Sequence, residues 1–292
     1  MRIGIHTSIA KSLEGAALKA AEIGANTFQI FSASPRQWKA SAPSAASIAL
    51  LNRARDKHDL TPLVIHDNYL INLAAADDAL WAKSVDAFRG ELERAIAMGA
   101  EYLVAHPGNY KGHTLEQGIL RVLEGIAQAA AGLRCGKLML LVECTVGAGT
   151  QIGGRFEELA AIREFAPRLT DLPVGFCLDT CHLLASGYDV ATAAGLKRMI
   201  VEAGRVLGLE NVKVIHANDS KAPFGSHVDR HQHIGQGYIG LEGFRRILTH
   251  PQLRSKAFIL ETPLEQDGDD RKNLDTLKRL WRKPRTTTTK SN

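Results

Sequence analysis

The chain has 292 residues and a mass of 31.7 kDa, enough to bury one large core and far too long for a peptide hormone or disulfide mini-scaffold. Apolar residues make up 45% and charged residues 23%, the composition of a folded protein rather than a disordered one. No apolar run approaches the roughly 20 residues that span a bilayer, and the opening MRIGIHTSIAKSLEGA lacks a signal-type apolar stretch, so a cytoplasmic protein without a membrane partner is expected.

Charge is unevenly placed. Residues 271–292 hold eight cations (Arg271, Lys272, Lys278, Arg279, Arg282, Lys283, Arg285, Lys290) and one acid, Asp275, leaving 28 cations against 30 acids elsewhere, a body of −2. The basic end points to a polyanionic partner, although a Thr-rich terminus such as WRKPRTTTTKSN is ordinarily a frayed, solubilising tail. The four cysteines, Cys135, Cys144, Cys177 and Cys181, form no CxxC pair and no disulfide framework, and are expected to be reduced.

The first strand is predicted at RIGIH (2–6). A helix capped by Ser12 follows and stops at Gly24, before FQIF (28–31). After LVIH (63–66), Asp77 caps a helix whose apolar face is Leu80, Val85, Phe88, Leu92 and Ile96, closed by Gly99 ahead of YLVAH (102–106). Helical spacing recurs at Ile119, Val122, Leu123 and Ile126, then LMLLVE (138–143); again at Phe156, Leu159, Ile162 and Phe165, then VGFCLD (174–179). VKVIH (212–216) and AFILE (257–261) complete eight runs, nearly all apolar, as befits strands buried on both faces of a parallel sheet. Eight such strands with crossover helices predict a (β/α)8 TIM barrel, a single α/β domain over residues 1–281, followed by a basic, flexible tail over 282–292. A doubly wound open sheet is the alternative, but the chain reads GIHTSIA where a GxGxxG fingerprint would stand.

The strand ends carry the chemistry. Seven of the eight runs finish in a metal-ligand type: His6, His66, His106, Glu143, Asp179, His216 and Glu261. A lone His or Glu there is ordinarily a hydrogen-bonded or solvated group, but a barrel brings all eight carboxyl ends onto one face. Several carboxylates in one pocket repel one another unless cations offset them, and imidazoles with carboxylates suit zinc, manganese or iron. Two local clusters extend the set. Asp179 and His182 are three apart in a predicted helical turn, and Asp229 and His231 are two apart in HANDSKAPFGSHVDRHQHIGQGYIG, on one side if that loop is extended. Spacing alone does not choose His231 over His227 and His233, whose bland role is loop scaffolding. Five imidazoles and four carboxylates (His66, His106, Glu143, Asp179, His182, His216, Asp229, His231, Glu261) would serve two or three ions.

These segments, with FSASPRQWK, IHDNYLINLA, AHPGNY, LLVECTVGAGTQIGG, GFCLDTCHLLASGYD and ILETP, resemble the endonuclease IV family of apurinic/apyrimidinic (AP) endonucleases across roughly residues 3–281. The resemblance implies a TIM barrel holding three zinc ions, with manganese as a substitute. His66 and His106 would hold the first, Glu143 would bridge it to the second, Asp179, His216 and Glu261 would complete the second, and His182, Asp229 and His231 would hold the third. It implies a monomeric phosphoric diester hydrolase acting on double-stranded DNA with an abasic site or a blocked 3′ end. The cut falls 5′ to the abasic site and leaves a 3′-hydroxyl, with hydroxide generated at the metals as nucleophile, and 3′ blocking groups are removed as well. Glu143 and Glu261 would be the carboxylates on which hydrolysis depends, and Cys144 and Cys181 packing residues. Arg36, Tyr69 and Leu70 occupy positions similar to the family's DNA-penetrating loops, and Arg230 that of a phosphate contact; without the family, Tyr69 and Leu70 would equally be core residues. Ala33 stands where many relatives carry lysine, and Cys144 and Val146 where Asn or Thr and Ala are usual, departures that alter no ligand.

Two competing readings remain. A barrel sugar isomerase or epimerase also places Glu, Asp and His at strand ends, but it needs one or two metals and not the His182, Asp229, His231 set. A metal-stabilised DNA-binding protein without turnover is the other. If the tail contacts DNA, deleting residues 282–292 will lower affinity chiefly at low salt and flatten the slope of log K against log salt; an unchanged slope returns the tail to the solubilising role.

Overall fold

The computed structural model describes residues 1–282, so the expectation for the tail lies outside the described residues apart from Arg282. In chain order the elements are β1 (Arg2–His6), α1 (Leu13–Glu22), β2 (Phe28–Phe31), α2 (Ala45–His58), β3 (Leu63–His66), α3 (Asp78–Ala97), β4 (Tyr102–Ala105) and α4 (Leu115–Ala130). They continue with β5 (Met139–Glu143), α5 (Phe156–Phe165), β6 (Val174–Asp179), α6 (Thr180–Ser186), α7 (Ala193–Val206) and β7 (Val212–His216). Two short strands, β8 (Asp219–Ser220) and β9 (His231–Gln232), precede α8 (Gly240–Thr249), β10 (Ala257–Leu260) and α9 (Asp269–Trp281). Eight parallel strands close a barrel in the order β1-β10-β7-β6-β5-β4-β3-β2, as the apolar runs predict, while β8 and β9 pair antiparallel above it.

Local signals act where the sequence places them. Ser12 Oγ accepts from Gly15 N at 2.8 Å and Asp77 Oδ1 from Leu80 N at 2.7 Å, each satisfying an otherwise orphan amide of the first turn. Gly24 and Gly99 take left-handed conformations (φ 86° and 64°), which lets Ala25 N and Ala100 N close back on Ala20 and Ala95 carbonyls and turn the chain into the next strand.

Two apolar layers follow from the alternation of side chains along each strand. Phe28, Leu63, Leu103, Leu140, Phe176 and Phe258 face the helices within the large core. Val64, Val104, Leu141, Cys177, Val214 and Ile259 face inward and fill the barrel. The predicted strand ends shift by one residue at three places, because β5 starts at Met139 and β4 and β10 stop before His106 and Glu261. At this rim the ladder runs out of partners. The Glu261 amide donates instead to Asn218 Oδ1 at 2.8 Å, so the residue leaves the ladder without changing face. Among the described residues no helix is long and apolar enough to cross a membrane.

The fit of β1 against β2 requires glycine at position 4, where a Cβ would stand 1.8 Å from the Thr27 carbonyl oxygen. Gly4→Ala is therefore expected to destabilise the barrel by at least about 1–3 kcal/mol, the usual cost of overpacking, read as a lowered midpoint in thermal unfolding; an unchanged midpoint would refute this packing.

Candidate metal centre

Six inward apolar residues are each followed two positions later by a potential ligand: Val64 by His66, Val104 by His106, Leu141 by Glu143, Cys177 by Asp179, Val214 by His216 and Ile259 by Glu261. Alternation keeps each pair on one face, so six ligand types crown the barrel's own core. His182 joins them because α6 starts directly after β6: Asp179 caps that helix, accepting from His182 N at 3.0 Å, which turns His182 over the same mouth. Asp229 and His231 arrive from outside, on the loop that ends in β9. The segment that returns from β9 to α8 is pinned by buried Asp219, whose carboxylate accepts from the amides of Ser220, Gly235, Gly237, Ile239 and Gly240 at 2.8–3.3 Å. Gly237 is required there, since a Cβ would lie 2.3 Å from the Ser220 carbonyl.

All nine residues meet, and they meet as three sets. His66, His106 and Glu143 form one, Glu143, Asp179, His216 and Glu261 the second, and His182, Asp229 and His231 the third, with the donor atoms of each set within 4.8 Å of one another. Glu143 divides its oxygens between neighbours. Oε2 faces His66 Nε2 (3.3 Å) and His106 Nε2 (3.4 Å), while Oε1 faces His216 Nδ1 (2.8 Å). In the third set Asp229 lies 3.3 Å from His182 Nε2 and 3.4 Å from His231 Nε2. The floor is dry, with Glu143, Asp179 and His216 at most 1% exposed, whereas Asp229 keeps half its side chain in solvent. The mouth above is a cavity of about 300 Å³ reached past Phe31, Tyr69, His106 and Leu264.

Electrostatics binds the sets together. Burial works against the His66 cation, but Glu143, hydrogen-bonded to it, and the nearby Glu261 and Asp67 override that and raise it to about 10. Burial dominates at His106 and takes it down to about 4. Glu143 and Glu261 resist burial and stay well below the carboxylate range because imidazoles surround them, His216 foremost. Protons shared among these groups neutralise them, the role a divalent cation takes over when it displaces those protons.

The hydrogen-bond pattern fits such cations. His66, His182 and His231 place Nδ1 2.9–3.0 Å from the main-chain carbonyls of Asp67, Cys144 and Glu261, which fixes the tautomer and turns the lone pair of Nε2 into the pocket. His231 Nε2 is buried with no hydrogen-bond partner, yet it faces carboxylate oxygens of Asp229 at 3.4 Å and Asp179 at 3.6 Å. Lone pairs so opposed repel, and a cation between them removes the conflict. Cys177 and Cys181 also come near, and burial pushes the Cys177 thiol well up and that of Cys181 to about 12.

Two supporting residues escaped the sequence reading. Gln29 bonds His216 and Glu261, and Asn218 Nδ2 donates to Asp179 Oδ2 at 2.6 Å. The signal for Gln29 was a single amide in an apolar strand whose end, Phe31, carries no ligand type.

The chain matches the family described as xylose isomerase-like TIM barrel over residues 17–283. A protein of Solibacter usitatus (strain Ellin6076) described as probable endonuclease 4 is 61% identical over 280 residues, covering 96% of this chain and 97% of that one. The chain belongs to the endonuclease IV family. The crystal structure of endonuclease IV from Thermus thermophilus superposes with a TM-score of 0.84 at 42% identity, covering 96% of this chain and 98% of that one. A D-tagatose 3-epimerase-like protein, at 18% identity and a TM-score of 0.67 over 96% of this chain and 97% of its own, shares the fold alone.

Of the positions that the endonuclease IV resemblance assigned to DNA, Tyr69 lines the mouth. Arg36 is exposed in the segment after β2, and Arg230 is exposed between Asp229 and His231. Tyr69 is 66% exposed and packs its ring edge against Phe31, centroids 5.1 Å apart, so it is not a core residue; Leu70 is half-buried. His227 and His233 stand outside the three sets, with His227 Nδ1 2.7 Å from the Val146 carbonyl and His233 Nδ1 accepting from Asn273 Nδ2 at 3.0 Å. The departures at Cys144 and Val146 are buried packing positions, and the Cys144 sulfur accepts from the Asp179 amide at 3.1 Å.

Burial raises the Cys144 thiol to about 11 and Cys181 to about 12, so both stay protonated until pH rises toward those values. Iodoacetamide at pH 8 should modify half-exposed Cys135 in the folded protein and reach Cys144, Cys177 and Cys181 only after unfolding, counted by mass spectrometry. Rapid alkylation of Cys144 or Cys181 in the native state would contradict that assignment.

Proposed function

We propose that this chain is a DNA-repair AP endonuclease that hydrolyses the phosphodiester 5′ to an abasic site in duplex DNA, leaves a 3′-hydroxyl, and clears blocked 3′ ends at the same site. The observation that carries the reading is the third donor set, His182, Asp229 and His231, standing beside the two sets that share Glu143. A barrel isomerase has no use for a third ion. The relatives named endonuclease 4 and the Thermus thermophilus endonuclease IV structure support the same class of activity.

In this reading His66 and His106 would hold the first ion, Glu143 would be shared between it and the second, Asp179, His216 and Glu261 would complete the second, and His182, Asp229 and His231 would hold the third. The donors are five imidazoles and four carboxylates, with no thiolate, arranged in groups of three and four, which suits zinc. Bound there, such ions supply Lewis acidity toward phosphoryl oxygens and acidify water. The chain's own residues do the rest. Glu143 and Glu261 keep their charge in a dry floor, fixing the donors against drift. Tyr69, with Leu70 beside it, presents an exposed ring at the rim that can stack where a base is missing, and Arg36 and Arg230 offer guanidinium groups to backbone phosphates. No side-chain nucleophile is needed, in keeping with the protonated thiols of Cys144 and Cys181.

The test combines elemental analysis of the purified protein with incision of a duplex carrying one abasic site. Three zinc ions per chain and a single cut 5′ to the lesion are expected. Glu143→Ala and Glu261→Gln should each reduce incision beyond the roughly 100-fold that losing a merely supporting residue costs, with an unchanged far-ultraviolet circular dichroism spectrum. Near-normal cutting by Glu143→Ala removes the assigned shared carboxylate and by Glu261→Gln its place in the second set, and tight abasic-DNA binding without scission by the zinc-loaded wild type favours the binding-protein alternative.

A further inference from the structure

Gln29 is the one polar side chain of FQIF in β2 and is fully buried. Both of its N–H groups and its carbonyl oxygen are engaged. Nε2 donates to Glu261 Oε1 at 2.6 Å and to His6 Nδ1 at 3.0 Å, and Oε1 accepts from His216 Nε2 at 2.8 Å. Glu261 fixes this orientation, because a reversed amide would press its oxygen against a carboxylate oxygen with no proton between them. His216 must therefore donate from Nε2, which leaves Nδ1 as the nitrogen facing Glu143 Oε1 (2.8 Å) and Glu261 Oε2 (3.3 Å).

That arrangement is the reverse of its neighbours. His66, His182 and His231 are oriented through Nδ1 by main-chain carbonyls and present Nε2. A main-chain carbonyl comes with the fold whatever side chain stands there. The orientation of His216 depends on a side chain that one substitution removes.

We propose that Gln29 is the positioning residue of the second donor set. It holds His216 in the form that presents Nδ1 and pulls Glu261 by Oε1, so that Oε2 stays turned toward His216. Through these two contacts it sets the cation affinity of the second set selectively, leaving His66 of the first set and both histidines of the third to their carbonyls. The inference rests on the three-ion reading above. Gln29 does not line the open mouth, where His6 and Phe31 do, so its influence passes through His216 and Glu261 rather than through substrate. Asn218 still supports Glu261, its Oδ1 accepting the Glu261 amide and its Nδ2 lying 3.4 Å from Oε2, so loss of Gln29 weakens the set without dismantling it.

The experiment compares wild type with Gln29→Leu, which keeps bulk without polar atoms, and Gln29→Met, closer to the native shape should leucine prevent folding. Each zinc-loaded protein is titrated with a chromogenic chelator, and zinc content, release kinetics, thermal midpoint and incision are recorded. The wild type should hold three ions, and the variants should surrender one of the three with an affinity lowered roughly 10- to 100-fold, the usual effect of removing a residue that orients a ligand. The other two ions should stay at wild-type affinity, cobalt substitution should alter the visible bands of one ion alone, and incision should fall in kcat with KM little changed. Variants that match wild type in zinc release overturn the role of Gln29, as does a parallel weakening of all three ions, which marks a general loss of structure. A wild-type chain that binds no divalent metal overturns the three-ion reading and this inference with it.

Discussion

In a closed parallel barrel the side chains of each strand alternate between the helices and the axis, and every carboxyl end opens on one face. The site depends on that constraint. The pairs Val64 and His66, Leu141 and Glu143, or Ile259 and Glu261 are an apolar plug and a ligand type separated by one pleat. The plug excludes water from below, and the residue two positions on inherits a dry floor and a fixed direction. One alternation thus builds the core and aims the chemistry.

That dry floor makes charge the governing quantity. Three carboxylates brought together there, Glu143, Asp179 and Glu261, would drive one another neutral if imidazoles did not stand between them. Glu143 resolves the crowding by facing different partners with its two oxygens, and Glu261 is steadied by Gln29 and Asn218 from opposite sides. Four of the five imidazoles are in turn oriented from behind, His66, His182 and His231 by carbonyls and His216 by an amide. The result is a pocket in which most of the donor types are already aimed by the protein's own hydrogen bonds.

How much of this could be read from the residues follows from the range of the interactions. The barrel was legible because its strands are short apolar runs and its helix ends carry local signals at Ser12, Asp77, Gly24 and Gly99, each acting over a few residues. Asp179 and His182 were legible for the same reason, as a strand end and the first turn after it. The choice of His231 over His227 and His233 was not. It is decided by β9 pairing with β8 and by Asp219, at the far end of the excursion, which holds the returning loop. Gln29 was hidden more deeply still, since its partners lie 187 and 232 positions along the chain and no local pattern encodes them. Tyr69 misleads in the opposite direction, an aromatic residue just after a core strand that the turn at 69–70 leaves in solvent.

The ribbon of β8 and β9 has a bearing on how such proteins diversify. Six of the nine donors belong to barrel strands or stand one residue past them, and His182 belongs to the turn that follows one; only Asp229 and His231 come from the excursion between β7 and α8. Lengthening or trimming that excursion adds or removes two of the three donor types of one set while every plugged strand keeps its neighbours. A barrel of this kind can therefore remodel the side chains at its mouth by changing a surface appendage, without renegotiating its core.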